Sequence, residues 1–323
     1  MGAERPMLEQ ETVRVFAERI REAVHEIIVG MDEAIHALLL ALLSEGHVLL
    51  EGPPGIAKTY LAKAFASVLG LKFRRIQFTA DLMPSDITGS IVYNRAEERF
   101  EFRKGPIFAN IVLADEINRA SPRAQSALLE AMQERQVTVE GSSFPLPHPF
   151  LLIATQNPIE LEGTYPLPEA ELDRFLVRAV LTYPDSGTEL EILSKKMLYG
   201  EYFELEPIFS AEDVLKAIEL VRKVEAEKSV LEYIVKLAEA TRRHERVALG
   251  VSPRGEVALL YASKAEAAME GKPYILPDHV KAVVELVFNH RIILRGGSLN
   301  PLTSREEVLE LLREVVEGVP APR

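Results

Sequence analysis

Apolar residues follow two different spacings along the first half of the chain. Over residues 12–28 they recur at helical spacing, which predicts an amphipathic helix. The short runs 48–50, 111–114 and 150–155 are instead almost continuously apolar, as expected of strands that are buried on both faces. Strands of this kind belong to parallel sheets covered by helices, so the pattern predicts an α/β fold.

From Glu189 onward the apolar spacing is almost purely helical. The preceding segment 183–187 contains proline, glycine and polar residues and is typical of a linker. We therefore predict an α/β core over residues 1–184 and a separate all-α domain over residues 185–323. The apolar faces of its helices are expected at residues 214–221, 234–241, 257–261, 280–287 and 308–315.

Two segments of the core are predicted to form hairpin inserts. The insert near 90–103 places short apolar stretches on both sides of a charged tip at 94–99. The insert near 136–149 contains a β-branched stretch at 137–139, followed at 144–147 by the sequence FPLP, in which apolar residues alternate with prolines. Because a tip this polar contributes little to a core, we expect the first hairpin to contact a partner.

The segment 52–59, GPPGIAKT, stands between a predicted strand and a predicted helix. Inward-pointing backbone N–H groups and a positive helix terminus form a cradle for polyphosphate in this context. Lys58 would reach the β- and γ-phosphates, and the Thr59 hydroxyl would hold Mg²⁺. Ala57 replaces a glycine of the general pattern, and we expect a right-handed conformation there because alanine favours helix. When this segment is considered without the rest of the chain, a Gly/Pro turn that binds no ligand is the alternative.

Polar side chains follow two of the buried apolar runs. Asp115 and Glu116 come directly after the run 111–114, at the end of a parallel strand where α/β sheets bind their ligands. We expect Asp115 to hold Mg²⁺, largely through water, and Glu116 to orient the attacking water. Asn157 follows the next run and could hydrogen-bond that water or the γ-phosphate, although an asparagine before Pro158 is also an ordinary turn residue.

Composition narrows the classes of function. Lys plus Arg total 37 against 49 Asp plus Glu, a net charge of −12, so general affinity for nucleic acid or an anionic membrane is not expected. Cysteine is absent, which excludes disulfides and thiolate chemistry. The chain shows no signal peptide and no apolar run long enough to span a bilayer, so we expect a cytoplasmic protein.

The motifs GPPGIAKT, IVLADE, ATQN and LPEAELDRF, followed by SPR in the helical region, resemble the AAA+ ATPases in order and spacing. Within that superfamily the chain resembles the MoxR family of the helix-2 insert clade. One family feature is that the motif GPPGIAKT ends in AKT where the wider superfamily has GKT. The others are the segments DLMPSDITG, GPIFANIVLADEINRASPRAQSALLEAMQE and EGTYPLPEAELDRF. The resemblance extends from about residue 10 to about residue 315.

This resemblance implies an AAA+ core with a five-stranded parallel sheet and a C-terminal all-α lid domain, assembled as a hexameric ring that binds ATP and Mg²⁺ between subunits. Arg174 corresponds to the arginine finger offered to the neighbouring subunit, with Arg119 and Arg123 as alternatives. The implied catalytic residues are Lys58, Glu116, Asn157 (sensor 1), Arg174 and Arg254 (sensor 2). The implied nucleotide-binding residues are Val29 and Gly30 under the adenine, Gly52, Pro53, Pro54, Gly55, Ile56, Ala57, Lys58, Thr59, Tyr60 and Asp115, with Thr59 and Asp115 as the metal ligands.

The MoxR resemblance implies that ATP hydrolysis drives chaperone-like remodelling or maturation of partner proteins, often ones with a von Willebrand factor A domain. One alternative is a motor subunit like that of magnesium chelatase, which belongs to the same clade. A nucleic-acid translocase or restriction-type GTPase of the same clade is a second alternative, opposed by the net charge of −12 and by the absence of a basic stripe in either hairpin. A nucleotide-gated scaffold that scarcely hydrolyses ATP is a third, opposed by the presence of Glu116.

Overall fold

The computed structural model describes residues 5–158, 163–199, 205–296 and 301–322; the remaining residues of the two predicted domains lie outside the described part. The first elements in chain order are α1 (Arg5–His25), α2 (Asp32–Leu43), β1 (Val48–Glu51), α3 (Lys58–Val68), β2 (Phe73–Gln77), α4 (Pro84–Thr88), β3 (Gly89–Asn94), β4 (Arg99–Lys104) and β5 (Ile111–Asp115). A 3₁₀ turn (Ile117–Arg119) then precedes α5 (Pro122–Glu134), β6 (Gln136–Val139), β7 (Ser142–Pro145), β8 (Leu151–Gln156), α6 (Glu169–Leu172) and β9 (Val177–Val180). The last elements are α7 (Ser186–Tyr199), α8 (Ala211–Arg222), α9 (Lys228–Arg243), β10 (Val247–Leu249), α10 (Pro253–Met269), α11 (Pro277–Phe288), β11 (Ile293–Leu294) and α12 (Pro301–Gly318).

The predicted five-stranded parallel sheet is confirmed, with the strand order β2-β5-β8-β1-β9. Its inner strands are buried on both faces. Successive residues of β5 therefore enter different apolar clusters: Ile111 and Leu113 pack with the cluster of α1 to α3, and Val112 and Ala114 pack with that of α5. This burial explains why the inner strands are continuously apolar in the sequence.

Because all five strands are parallel, the sheet has two chemically different edges. We call the edge at which Glu51, Asp115 and Gln156 end their strands the carboxyl edge. We call the edge at which the chain enters β1 and β9 the amino edge, where the Leu176 N–H donates to the His47 carbonyl at 2.9 Å. Residues that precede β9 and residues that follow β1 therefore lie at opposite edges of the sheet.

Both inserts form two-stranded antiparallel hairpins, β3 with β4 and β6 with β7. The rings of Phe102 and Phe144 stack with centroids 4.1 Å apart, which links the two hairpins to each other. Near the tip of the first hairpin, Tyr93 and Phe100 form an exposed aromatic pair with centroids 5.2 Å apart.

The C-terminal region is helical, as expected, and α10 begins where the motif SPR predicts it. The Ser252 side chain accepts a hydrogen bond from the Gly255 N–H at 3.3 Å, and Pro253 occupies the first helical turn. Apolar residues of α8, α9, α10, α11 and α12 belong to the same cluster as α1 and α2. The predicted boundary between residues 184 and 185 thus separates two parts of the chain that share a core, and it stays a prediction. No helix in the described ranges is both long and apolar enough to cross a membrane.

Candidate functional site

The phosphate-loop segment, residues 52–57, connects β1 to α3 at the carboxyl edge. The Gly52 N–H donates to the Gln156 carbonyl at 3.2 Å, which links the start of the loop to β8. Gly55 has a φ of +83°, a left-handed conformation that glycine adopts without a Cβ clash. Lys58 Nζ donates to the Gly52 carbonyl at 2.6 Å, so its ammonium group lies against the loop.

The expectation of a right-handed conformation at Ala57 is wrong. Ala57 directly precedes α3 and has φ 63° and ψ 25°, which is left-handed. The chain must reverse there from the loop into the first helical turn, and this geometry overrides the helix propensity of alanine. A Cβ in the left-handed region costs about 1–2 kcal/mol. Of the other loop residues, Pro53 and Ile56 are buried and Pro54 is exposed.

Asp115 ends β5 and accepts hydrogen bonds on both of its carboxylate oxygens. Thr155 Oγ1 donates to Oδ1 at 2.6 Å, and Thr59 Oγ1 donates to Oδ2 at 3.2 Å. Arg75, on the neighbouring strand β2, forms an ion pair with Oδ2 through Nη2 at 2.7 Å. The structure therefore brings the two predicted metal ligands, Thr59 and Asp115, into contact.

This pair of oxygens fits a magnesium ion that also binds phosphate. Neighbouring ligands of octahedral Mg²⁺ are about 3 Å apart, given metal–oxygen distances of about 2.1 Å. Within the described residues no group of three or more His, Asp or Glu side chains could enclose a metal. Sites with one or two protein ligands are typical of Mg²⁺ that is bound together with substrate phosphates.

Glu116 directly follows Asp115 and has a left-handed backbone conformation with φ 57°. Its N–H donates to Thr155 Oγ1 at 2.8 Å, which fixes the turn after β5. Gln77 Nε2 donates to Glu116 Oε2 at 2.8 Å, and Arg119 Nε lies 3.2 Å from the same oxygen. The carboxylate is thus held at the carboxyl edge, beside the phosphate-loop segment, where a water-orienting group is required.

The Lys58 ammonium group is half-buried, and its surroundings suit a polyphosphate. Burial lowers the pKa of Lys58, while the negative charges of Asp115, Glu116 and Glu51 oppose that shift. A bound phosphate would favour the charged form of Lys58 in the same way.

The predicted adenine segment lies in the turn between α1 and α2. Gly30 has a φ of +72°, and a Cβ at this position would meet Thr188 Cγ2 at 2.6 Å, so only glycine fits. Val29 beside it is half-buried. Tyr60, in the first turn of α3, has its ring 5.0 Å from Lys196 Nζ. Helix α7 therefore packs along both predicted adenine-binding elements.

Asn157 is buried directly after β8, and it lines a cavity of about 330 Å³ at the carboxyl edge. The same cavity contains Glu51, a buried acidic residue that the sequence analysis did not single out. Glu51 Oε2 lies 3.5 Å from Arg178 Nη1 and 2.6 Å from Arg305 Nη2. The end of β1 is thus linked by ion pairs to β9 and to α12.

Arg174 and Arg254 lie apart from these groups. They line a cavity of about 580 Å³ at the amino edge, which we call the arginine cavity. Arg174 precedes β9, and Arg254 lies in the first turn of α10. The charged side chains that line this cavity are Glu45, Arg135, Asp173, Arg174, Arg222, Arg254, Lys264 and Arg291.

Most of the arginines in this cavity have an acidic partner. Arg291 Nε lies 2.8 Å from Asp173 Oδ1. Arg135 Nη1 lies 2.6 Å from Glu45 Oε1, and Arg222 forms an ion pair with Glu45 Oε2. Among the residues that the structure describes, neither Arg174 nor Arg254 forms an ion pair, and the Arg174 Nε is buried without a hydrogen-bond partner.

The Glu45 carboxylate offsets part of the positive charge in the arginine cavity. Burial raises its pKa, but hydrogen bonds from Arg135, His148 and Arg222 outweigh that effect, and the pKa of Glu45 falls to about 2. The His148 Nε2 lies 2.9 Å from Oε1, so the residues flanking the second hairpin and the end of α8 meet at this carboxylate.

The other candidates for the arginine finger are placed differently. Arg119 contacts Glu116 of its own chain at the carboxyl edge, and Arg123 is exposed in the first turn of α5. Sequence reasoning also missed Arg75 and Gln77, which hold Asp115 and Glu116. The alternating polar positions of β2 are a signal that could have identified them.

Comparison with known proteins agrees with this geometry. A family model described as "ATPase family associated with various cellular activities (AAA)" matches residues 47–177, and one described as an AAA lid domain matches residues 239–311. The chain is 44% identical to the uncharacterized protein YeaC of Bacillus subtilis, over 98% of both chains. It is 42% identical to the chaperone MoxR1 of Mycobacterium tuberculosis, over 93% of this chain and 81% of that protein.

A crystal structure of a protein from Cytophaga hutchinsonii, described as a candidate ATPase, has the same architecture. It matches with a TM-score of 0.88 and 37% sequence identity over 99% of this chain and 98% of that chain. This match covers the nucleotide-site motifs, the sheet and the helical lid. This chain belongs to the MoxR family of AAA+ ATPases.

Proposed function

We propose that the chain hydrolyses ATP, with Mg²⁺, at sites shared between adjacent copies in a hexameric ring. The observation that carries this proposal is the separation of charges in one chain. Lys58, Asp115 and Glu116 lie at the carboxyl edge, whereas Arg174 and Arg254, which form no ion pair within the described part of the chain, lie at the amino edge. A second copy would bring its arginines to the phosphates that the first copy holds.

The residues at the carboxyl edge would bind and orient the substrate. Lys58 would exchange its contact with the Gly52 carbonyl for the β- and γ-phosphates, and the N–H groups of residues 52–57 would surround them. Mg²⁺, when bound by Thr59 and Asp115, neutralises phosphate charge. Glu116 would align a water molecule with the γ-phosphorus, and Asn157 would hold that water or the γ-phosphate. The water oxygen bonds to the γ-phosphorus as the bond between that phosphorus and the β–γ bridging oxygen breaks. The bridging oxygen keeps the bonding electron pair and leaves with ADP, and Glu116 would accept the proton that the water loses.

The arginines would complete this site from the neighbouring copy. Phosphoryl transfer depends on positioning and charge stabilisation, and an arginine supplied by a partner raises the rate by roughly 10³–10⁵-fold in systems where it has been assessed. We assign this role to Arg174 rather than to Arg119, because Arg119 contacts Glu116 of its own chain. Arg254 shares the arginine cavity with Arg174 and would act beside it.

A subunit-mixing assay tests the shared site. Lys58→Ala should lose ATP binding, and Arg174→Ala should bind ATP without hydrolysing it at an appreciable rate. When the two variants are mixed, we expect partial activity, because each interface formed by an intact loop and an intact arginine works. Absence of activity in a mixture whose co-assembly is verified by native mass spectrometry would reject the shared site.

We further propose that hydrolysis drives chaperone-like remodelling or maturation of partner proteins that carry a von Willebrand factor A domain. This role is supported by the relative MoxR1, which is named a chaperone. The exposed Tyr93–Phe100 pair is a candidate contact for such a client. Affinity capture with Glu116→Gln in ATP tests the proposal, which predicts a von Willebrand factor A protein among the retained proteins.

A motor subunit acting in magnesium chelation is the second candidate. Its support is the more distant similarity to the magnesium-chelatase 38 kDa subunit of Rhodobacter capsulatus, 29% identical over 90% of this chain. Retention of chelatase subunits in the capture experiment, without a von Willebrand factor A protein, would favour this candidate. The net charge of −12 makes a nucleic-acid partner less favoured than a protein partner. We also propose that the protein acts in the cytoplasm.

A further inference from the structure

Helix α10 is mostly buried, and its exposed residues lie along one narrow stripe. All residues of this helix are described, and the exposed ones are Pro253, Arg254, Val257 and Tyr261. Val257 and Tyr261 are 48% and 49% exposed and lie on the same helix face as Arg254, at intervals of three and four residues. All three line the arginine cavity. We call them the α10 stripe.

Helix α7 carries a second apolar stripe with the same spacing. Leu190, Leu193 and Met197 are 66%, 67% and 82% exposed. Large apolar side chains grouped on one helix face and open to water are typical of an interaction surface. We call these three residues the α7 stripe.

The two stripes belong to different sides of the molecule. Helix α7 follows β9 and therefore starts at the carboxyl edge, beside the phosphate-loop segment. Its Thr188 packs on Gly30, and its Lys196 lies over the Tyr60 ring. The α7 stripe is thus attached to the nucleotide-binding side, whereas the α10 stripe lines the arginine cavity together with Arg174.

We propose that the α7 stripe of one copy packs against the α10 stripe of the next copy. This contact rests on the proposed function, because it would place Arg254 and the arginine cavity of one copy beside the phosphate loop of another. The N-terminal end of the α7 stripe is acidic, because Glu189 and Glu191 lie next to Leu190, whereas Lys195 and Lys196 lie toward its other end. The acidic end is complementary in charge to Arg254 and Lys264 of α10. Each copy presents both stripes, so the contact is head-to-tail and closes a ring when the rotation permits.

Site-specific crosslinking tests the contact, since the chain has no cysteine of its own. Full-length Leu193→Cys and Val257→Cys proteins are mixed in ATP and Mg²⁺ and treated with a short bismaleimide. We expect a covalent dimer in the mixture and little in either protein alone. The matched control mixes Leu193→Cys with Val235→Cys, because Val235 is 41% exposed but lies on α9 and is not among the residues that line the arginine cavity. Equal crosslinking in the control and the test mixture would overturn the proposal.

A second variant separates this contact from the shared site itself. Leu193→Glu places a charge in the proposed apolar contact, so the protein concentration for half-maximal ATPase activity should rise roughly tenfold or more, with ATP binding retained. If the wild type is activated by concentration but Leu193→Glu behaves identically, the contact is wrong and the shared site stands. If the wild type neither assembles nor depends on concentration, both proposals fail.

Discussion

The Arg75 guanidinium group forms an ion pair with Asp115, with Nη2 2.7 Å from Oδ2. The two residues lie on neighbouring strands, β2 and β5, at the carboxyl edge. Because Asp115 is also the proposed magnesium ligand, the arginine and the metal compete for one carboxylate. The strength of magnesium binding at this site therefore depends on how firmly Arg75 is held.

Arg75→Gln should lower the Mg²⁺ concentration for half-maximal ATPase activity. The Arg75 side chain is half exposed, so its ion pair is worth about 0.2–1 kcal/mol, which corresponds to a shift of roughly 1.4- to fivefold. A magnesium titration of the steady-state rate measures the shift. Arg74→Gln is the control, because the neighbouring side chain on a strand points to the other face of the sheet. A shift of the same size in both variants would contradict competition at Asp115.

Glu116→Gln should retain ATP binding and lose turnover. The amide keeps the size of the side chain and can still bind Gln77, but it cannot accept a proton or polarise water as a carboxylate does. We expect the rate constant to fall by about 10²–10⁴-fold, the range for a positioned acid–base group. Equilibrium binding of a fluorescent ATP analogue, measured beside the steady-state rate, separates the two effects. Turnover close to that of the wild type would remove Glu116 from its proposed role.

Ala57→Gly should stabilise the protein. The wild-type Cβ is held at φ 63°, at a cost of about 1–2 kcal/mol, and the greater freedom of glycine in the unfolded chain offsets part of the gain. We expect a net gain of about 0.5–1 kcal/mol and a Tm increase of a few degrees at most. Ala64→Gly, inside α3, is the control and should destabilise by about 1 kcal/mol. A lower Tm for both variants would contradict the left-handed strain.

The contribution of Glu45 to stability should disappear in acid. The pKa of Glu45 is lowered to about 2 in the folded chain from an ordinary value of 4.5, so its stabilisation is complete above pH 4.5 and is lost as the pH falls toward 2. At neutral pH, Glu45→Gln should cost about 1–3 kcal/mol, as expected for a lost set of charged hydrogen bonds. Thermal melts of both proteins across this pH range measure the difference. A difference that stays constant down to pH 2 would contradict the role of the carboxylate charge.

The parts of the site that could be predicted from the sequence are those that depend on neighbouring residues. The strand, loop and helix around Lys58 are contiguous, and Asp115 and Glu116 end a run whose burial is visible in its composition. The start of α10 is likewise marked by Ser252 and Pro253, which supply a side-chain cap and a preset φ. In each case a short segment contains the physical cause of its own structure.

The parts that could not be predicted depend on residues that only the fold brings together. Glu51 lies beside Arg178 and Arg305 because β1 pairs with β9 and α12 packs near its end. Gln77 reaches Glu116 because β2 is the neighbour of β5 in the sheet rather than in the chain. The left-handed Ala57 shows the same limit on a smaller scale, since the path of the loop decides its conformation and helix propensity does not.

The ATPase rate per chain, followed across a dilution series together with sedimentation velocity, tests the central claim most directly. The separation of Lys58 and Glu116 from Arg174 and Arg254 predicts that a dissociated chain is almost inactive. We expect the rate per chain to rise by roughly 10³-fold or more as assembly proceeds, because the partner supplies the arginines. A rate per chain that is the same at concentrations where only monomers sediment would contradict the account.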